Sequence, residues 1–183
     1  MGLPREKYYT VEDFYSMPDD IRAELIDGEI VYMASPSRIH QKILGELHFA
    51  ILSYIKNKGG NCEVYPAPFS VQLSENEDTV LEPDISVICD PEKLNDRGCI
   101  GAPDWIIEIA SPSNPKNDYI IKLNLYSNAR VREYWIVDPE NDAVYVYSMD
   151  GDKFAVNAYS FRDTVKAGIY EDLYIDFASL ERV

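Results

Sequence analysis

Asp84 and Glu108 are the residues whose placement most needs a chemical reason. Glu108 interrupts the apolar run Trp105-Ile-Ile-Glu-Ile-Ala110, and Asp84 follows Pro83 and opens Ile85-Ser-Val-Ile88. Both runs read as short strands, and that of Glu108 reads as buried on both faces. An ionised carboxylate in such a strand is costly unless it meets a cation or hydrogen-bond donors. Two carboxylates on neighbouring strands can share a hard divalent cation such as magnesium, which takes oxygen ligands and keeps several waters. An ion pair with Arg or Lys across the sheet is the simpler account of Glu108, and the residue types leave both open. Other ligand sets are weak. His40 and His48 stand eight residues apart, not the four that place two ligands over one metal on a helix. Cys62, Cys89 and Cys99 lack CxxC spacing, and a cytosolic chain of this length is expected to keep them as free, buried or idle thiols.

Sheets and helices must position these groups. Thr10-Val-Glu-Asp13 is a capping box opening a short helix that stops before Pro18. Residues 24–33 form two alternating runs around Asp27-Gly28, a hairpin signal. Ile39, Ile43, Leu47 and Ile51 have helical spacing over 37–58, with Ser37 as N-cap and Gly59-Gly60 as the stop. Stretches 62–73 and 80–89 are β-like around an acidic turn at 74–78, and an irregular connection covers 90–103. After the strand at 104–110, Asn114 caps a helix from about Pro115 to about Arg130. A buried strand at 131–137 then leads into a β-meander with turns at 140–142 and Asp150-Gly151. This order predicts an α+β, or mixed α/β, domain on one central sheet, with residues 1–183 as a single domain.

The 183 residues carry 17 Lys plus Arg against 32 Asp plus Glu, a net charge of -15. That balance opposes general nucleic-acid binding. At 46% apolar, the chain is not an acidic disordered segment. No apolar run suits a bilayer span or a signal peptide, so a soluble cytoplasmic protein without membrane contact is expected. Only residues 38–62 and 97–137 are not acidic in sum, and both contain a predicted helix. Arg38, Lys42, Lys116, Arg130 and Arg132 are the candidates for a local contact surface.

Pro83-Asp84, 23 intervening residues and Glu108 resemble the PD-(D/E)XK nuclease superfamily, the restriction-endonuclease-like fold. More narrowly, the chain resembles the Uma-two family of endonucleases. That resemblance rests on residues 24–29 (Glu-Leu-Ile-Asp-Gly-Glu), His40, Pro83-Asp84, 103–113, Asp118, Lys122, Tyr126 and 133–139 (Glu-Tyr-Trp-Ile-Val-Asp-Pro), and it covers nearly the whole chain. It implies a central mixed sheet flanked by helices. One departure matters: a Glu-x-Lys motif would put lysine at position 110, where this chain has Ala110. The resemblance implies that the catalytic lysine has moved to Lys122 on the following helix. An exposed pair with Asp118, worth a few tenths of a kcal/mol, is the plainer account of Lys122.

The function so implied is magnesium-dependent hydrolysis of a nucleic-acid phosphodiester, with manganese as a substitute. Asp84, Glu108 and the Ile109 carbonyl would hold the metal, and Lys122 would orient water or offset charge. Glu24 and His40 are further site candidates, each with an ordinary alternative as an exposed strand residue or a hydrogen-bonded histidine. Tyr126 reads as packing. Pro103-Asp104 lies on the strand of Glu108 itself and cannot pair with it across strands. The net charge predicts weak or partner-assisted nucleic-acid binding. The C-terminal tyrosines Tyr145, Tyr147, Tyr159, Tyr170 and Tyr174 suit a core edge or a homodimer interface. A catalytically inactive binding or scaffold protein retaining the fold is the rival reading, and a carboxylate-pair sugar hydrolase fits poorly.

Overall fold

The computed structural model describes residues 7–18, 20–75, 78–111, 117–150 and 153–180. Thr10 caps α1 (Val11–Tyr15): its hydroxyl accepts from Asp13 N–H while the Asp13 carboxylate accepts from Thr10 N–H, which is the expected capping box. A hairpin joins β1 (Ala23–Ile26) to β2 (Glu29–Tyr32). Its turn residues have φ of 50° at Asp27 and 80° at Gly28, as a type I′ turn requires. A Cβ on Gly28 would lie 2.1 Å from the Tyr8 ring, so any other residue there would displace that ring as well as strain the turn. α2 (Arg38–Lys58) starts at Ser37, whose hydroxyl accepts from His40 N–H, and ends at Gly59.

Proline divides the next two β-like runs between separate sheets. β3 (Glu63–Pro66) and β4 (Ser70–Gln72) flank Ala67-Pro68, while β5 (Val80–Leu81) and β6 (Ile85–Ile88) flank Glu82-Pro83-Asp84. Proline has no N–H to give a ladder, and each run changes sheet beside one. β7 (Leu94–Asn95) and β8 (Gly98–Ile100) arise within the stretch expected to be irregular. β9 (Trp105–Ile109), β10 (Glu133–Asp138), β11 (Ala143–Asp150) and β12 (Lys153–Ser160) follow, then β13 (Thr164–Lys166) and β14 (Tyr174–Asp176).

The central sheet runs β12-β11-β10-β9-β6-β3, with β9 and β10 parallel and the other neighbours antiparallel. This is the expected mixed sheet. A second sheet, β2-β1-β5-β4-β8-β7, accompanies it. Apart from the expected hairpin β1–β2, its strands have only two or three residues, too few for alternation to separate them as a sheet of their own. β13 and β14 pair by themselves.

The two-residue period sorts the side chains into two cores. Ile85, Val87, Trp105, Ile107 and Trp135 pack with α2 and the C-terminal segment. Ile88, Ile106, Ala110, Tyr134 and Ile136 pack with the second sheet. Trp105 and Trp135 meet edge to face at 4.8 Å in the first core. By the same period Asp84 and Glu108 fall on the face of the second.

The helix expected over 115–130 is a π-helical stretch, Asn117–Lys122, continued by α3 (Leu123–Asn128). Its expected cap Asn114, its start Pro115, the candidate cation Lys116 and the turn residue Gly151 lie outside the described residues. The cysteines depart from expectation. Cys62 and Cys89 form a disulfide, S–S 2.02 Å, because β3 and β6 pair Glu63 with Ile88 and so bring the next residues of each strand opposite one another. Cys99 stays a free, buried thiol, which burial pushes up to about 11. No helix among the described residues is long and apolar enough to cross a membrane.

Candidate active site

The register of β6 and β9 places the two carboxylates. It pairs Ile85 with Ile107, so one residue further on Asp84 lies opposite Glu108. Asp84 Oδ2 accepts from Ile109 N–H at 2.8 Å and lies 3.0 Å from His40 Nε2. The N-terminal turn of α2, held by the Ser37 cap, carries that histidine. Nδ1 of His40 is buried without a hydrogen-bond partner among the described residues.

Glu108 Oε1 accepts from Lys122 Nζ and from Tyr126 O–H, each at 2.8 Å. Lys122 ends the π-helical stretch and Tyr126 lies in α3, four residues on, so one helix face delivers both to the same carboxylate. Lys122 Nζ also meets Glu24 Oε1 at 2.9 Å, and that oxygen accepts Glu82 N–H at 3.0 Å. Glu24 is 2% exposed, Glu108 and Lys122 4%, and Asp84 8%. Burial first, then the charges of Glu108 and Glu24, push the Tyr126 phenol well above its ordinary pKa, which keeps it a hydrogen-bond donor.

All five side chains, Glu24, His40, Asp84, Glu108 and Lys122, line one cavity of about 290 Å³, with Ile109 on its wall. Glu24 is thus a buried ion-pair partner and not an exposed strand residue. Lys122 is buried between two carboxylates, while the side chain of Asp118 lies outside the description. A larger recess of about 510 Å³, lined by Glu12, Tyr15, Asp78, Arg97 and Cys99, lies elsewhere and includes none of the five. Among the described residues no three His, Cys, Asp or Glu side chains converge as a ready metal cage. Counted as ionised, three carboxylates and one ammonium leave a formal excess of two negative charges in this buried cluster.

The sequence reading missed three contributors. Tyr126 packs on Tyr134, at 4.8 Å, as expected, but its hydroxyl also serves Glu108. Its i,i+4 spacing from Lys122 was the available signal. Arg22 lines the cavity and pairs with Glu82 at 3.2 Å, and nothing in the sequence pattern marks either residue. Asp104 stands apart, as expected: it accepts from Cys89 N–H and pairs with Arg132. Arg38, Arg130 and Arg132 are exposed. Glu133 is buried in the central sheet, where it accepts from Trp135 Nε1 and Ile169 N–H.

The fold matches a crystal structure described as "a putative nuclease belonging to DUF820" from Anabaena variabilis, with a TM-score of 0.69 and 23% identity, covering 95% of this chain and 93% of that one. It is thus a mixed α/β, nuclease-like fold. The chain belongs to the Uma2 (Uma-two) family, described as "Putative restriction endonuclease", whose sequence model matches residues 11–169. An uncharacterised protein of Synechocystis is 28% identical over 137 residues, 73% of this chain and 70% of that protein.

Proposed function

We propose that this protein is a magnesium-dependent endonuclease hydrolysing phosphodiester bonds of nucleic acid. The observation that carries the reading is the buried, net-negative set of Asp84, Glu108 and Glu24 around Lys122 in one cavity. Magnesium is commonly held by one or two carboxylates and otherwise by water, so the cross-strand pair Asp84 and Glu108 fits it although no larger cage is present among the described residues. These two carboxylates, with the Ile109 carbonyl, would hold the ion. When bound, magnesium polarises a phosphodiester and acidifies water, and manganese would serve in its place.

The chain's own groups have separable parts. Ile109 N–H and His40 fix the Asp84 carboxylate, and Tyr126 fixes that of Glu108. Glu24 holds Lys122 at the carboxylate pair, where the ammonium offsets negative charge as it builds on the phosphate. The recess limits bulk water around these charges and so strengthens their interactions.

Glu108→Ala should reduce magnesium-dependent cleavage by at least about a hundredfold while the chain remains folded. Cleavage would be followed on plasmid, single-stranded, branched and RNA substrates, with circular dichroism as the control for folding. Equal activity in the variant and wild type sinks the assignment. One observation favours the rival, a catalytically inactive scaffold: Lys122 bridges Glu24 and Glu108, so a buried ion pair by itself gives both carboxylates a partner. Calorimetric titration with manganese separates the two readings, because a scaffold shows no site that Asp84→Asn removes.

We propose also a homodimer. Phe154 and Val156 are exposed on β12, the edge strand of the central sheet, and edge pairing with a second copy would cover them. Light scattering that finds a monomer at micromolar concentration overturns this.

A further inference from the structure

A recessed site admits only what its rim lets through. The following inference rests on the nuclease reading above and concerns the form of nucleic acid that enters. Glu24, Asp84, Glu108 and Lys122 are all less than a tenth exposed. Two very different groups stand at the edge of their cavity, both from the β1–β2 hairpin region.

Tyr32 ends β2 and lines the cavity, yet it is 70% exposed. No other ring or cation is seen against it among the described residues. Arg22 lies across the hairpin, where its carbonyl accepts Met33 N–H at 3.0 Å. Its guanidinium is oriented by Glu82 at 3.2 Å, and its Nε is buried without a hydrogen-bond partner among the described residues. The side chain as a whole is 37% exposed, and an oriented guanidinium suits a phosphate oxygen. An exposed phenol ring suits the face of a base.

Charge decides between an intact duplex and an unpaired strand. Affinity for a duplex comes largely from many cations meeting phosphates, and this chain carries -15 overall. Of the two strong cations among the described lining residues, Lys122 is already shared by Glu24 and Glu108, and Arg22 is paired with Glu82. Stacking supplies affinity without further cations, but a base in a duplex has both faces covered by its neighbours. An unpaired strand also bends more freely, and so can turn a phosphate into the recess.

We propose that Tyr32 and Arg22 form a clamp for an unpaired nucleotide, Tyr32 stacking on the base and Arg22 taking a phosphate oxygen. The substrate class is single-stranded or splayed nucleic acid, and not intact duplex.

Fluorescence anisotropy on the whole protein in EDTA at about 50 mM salt tests this directly. The probes are one labelled sequence of about 12 nucleotides as single-stranded DNA, as single-stranded RNA and as a blunt DNA duplex. At least one single strand should bind about tenfold or more tighter than the duplex. Tyr32→Ala should weaken that binding about five- to a hundredfold, while Tyr32→Phe keeps it. Arg22→Ala should weaken it as well, with Arg22→Lys recovering part. Tyr32-dependent binding of either single strand supports the clamp, and the tighter strand names the sugar. Duplex binding as tight as single-strand binding, full affinity in Tyr32→Ala, or no binding of any probe overturns it.

The outcomes separate the clamp from the chemistry. Glu108-dependent cleavage with unchanged affinity in Tyr32→Ala removes the clamp and keeps the nuclease. Tyr32-dependent binding without metal-dependent cleavage keeps the clamp and removes the nuclease.

Discussion

Replacing Lys122 by Met preserves most of the side chain's length and volume and deletes the ammonium that bridges Glu24 and Glu108. The carboxylates keep Glu82 N–H and Tyr126 O–H as donors but lose their shared cation. All three side chains are at least 95% buried, so solvent screening gives little relief. Breaking such a pair leaves uncompensated buried charge and destabilises by about 3–5 kcal/mol. An exposed helical pair would contribute only a few tenths. For a chain of this size the expected fall in Tm is about 6–20 °C. Urea unfolding followed by the fluorescence of buried Trp105 and Trp135 measures the loss, and magnesium should raise the variant's Tm more than that of wild type. Adding Glu24→Gln to Lys122→Met should recover part of the stability, with a coupling of about 0.5–3 kcal/mol. A loss below about 1 kcal/mol, the scale of a surface pair, would refute the placement of Lys122 between two buried charges.

Asp138 supplies the pH test. Burial pushes its pKa up, but hydrogen bonds from Tyr119 O–H, Asn141 Nδ2 and the N–H groups of Asn141 and Glu140 outweigh that and hold it below 3.8. A depressed folded-state pKa stabilises above the unfolded value, and the contribution is lost as pH falls through the folded one. Asp138→Asn should therefore destabilise most near neutrality and converge on wild type as acid is added below 3.8; parallel stability curves would contradict this. Tyr126→Phe keeps the packing on Tyr134 and deletes the donor to Glu108, so unfolding should show a loss of about 1.5–3 kcal/mol, and none would mean that Glu108 does not depend on the phenol. Cys62→Ser opens a covalent loop of separation 27 and should cost about 3.5 kcal/mol by loop entropy. Reducing wild type should reproduce that loss, and a Tm insensitive to both would argue against the bond.

The hairpin at Asp27-Gly28, the Ser37-capped helix and the strands around Asp84 and Glu108 were legible because each has a local cause: a turn that needs positive φ, a cap, a charge inside an apolar run. The rest of the second sheet was not, since β5 is joined to β1 and β4 to β8 by partners far along the chain, while β7 and β8 are only two and three residues long. The crossings at Pro68 and Pro83 hid it further, because each β-like run looked continuous while its two halves belonged to different sheets. The Cys62–Cys89 bond was illegible for a related reason: sequence separation says nothing of strand register. In the site, Glu108 and Asp84 announced themselves by their apolar neighbours. Arg22 and Glu82 did not, being ordinary polar residues whose meaning comes from which side chains the second sheet sets beside them.

The pairing of Ile85 with Ile107 has a consequence for how the chain avoids misfolding. Side chains alternate with a period of two, so a slip of one residue between strands reverses the face a whole strand presents. A slipped β9 would turn Glu108 toward the core of Ile43, Leu47 and Ile51, away from Lys122 and Tyr126. Stranding a carboxylate there would cost several kcal/mol, enough to leave the wrong pairing nearly unpopulated. The same acid on which the proposed chemistry rests therefore proofreads the sheet, and a change that neutralises it loosens the choice between alternative registers as well as removing a proposed ligand.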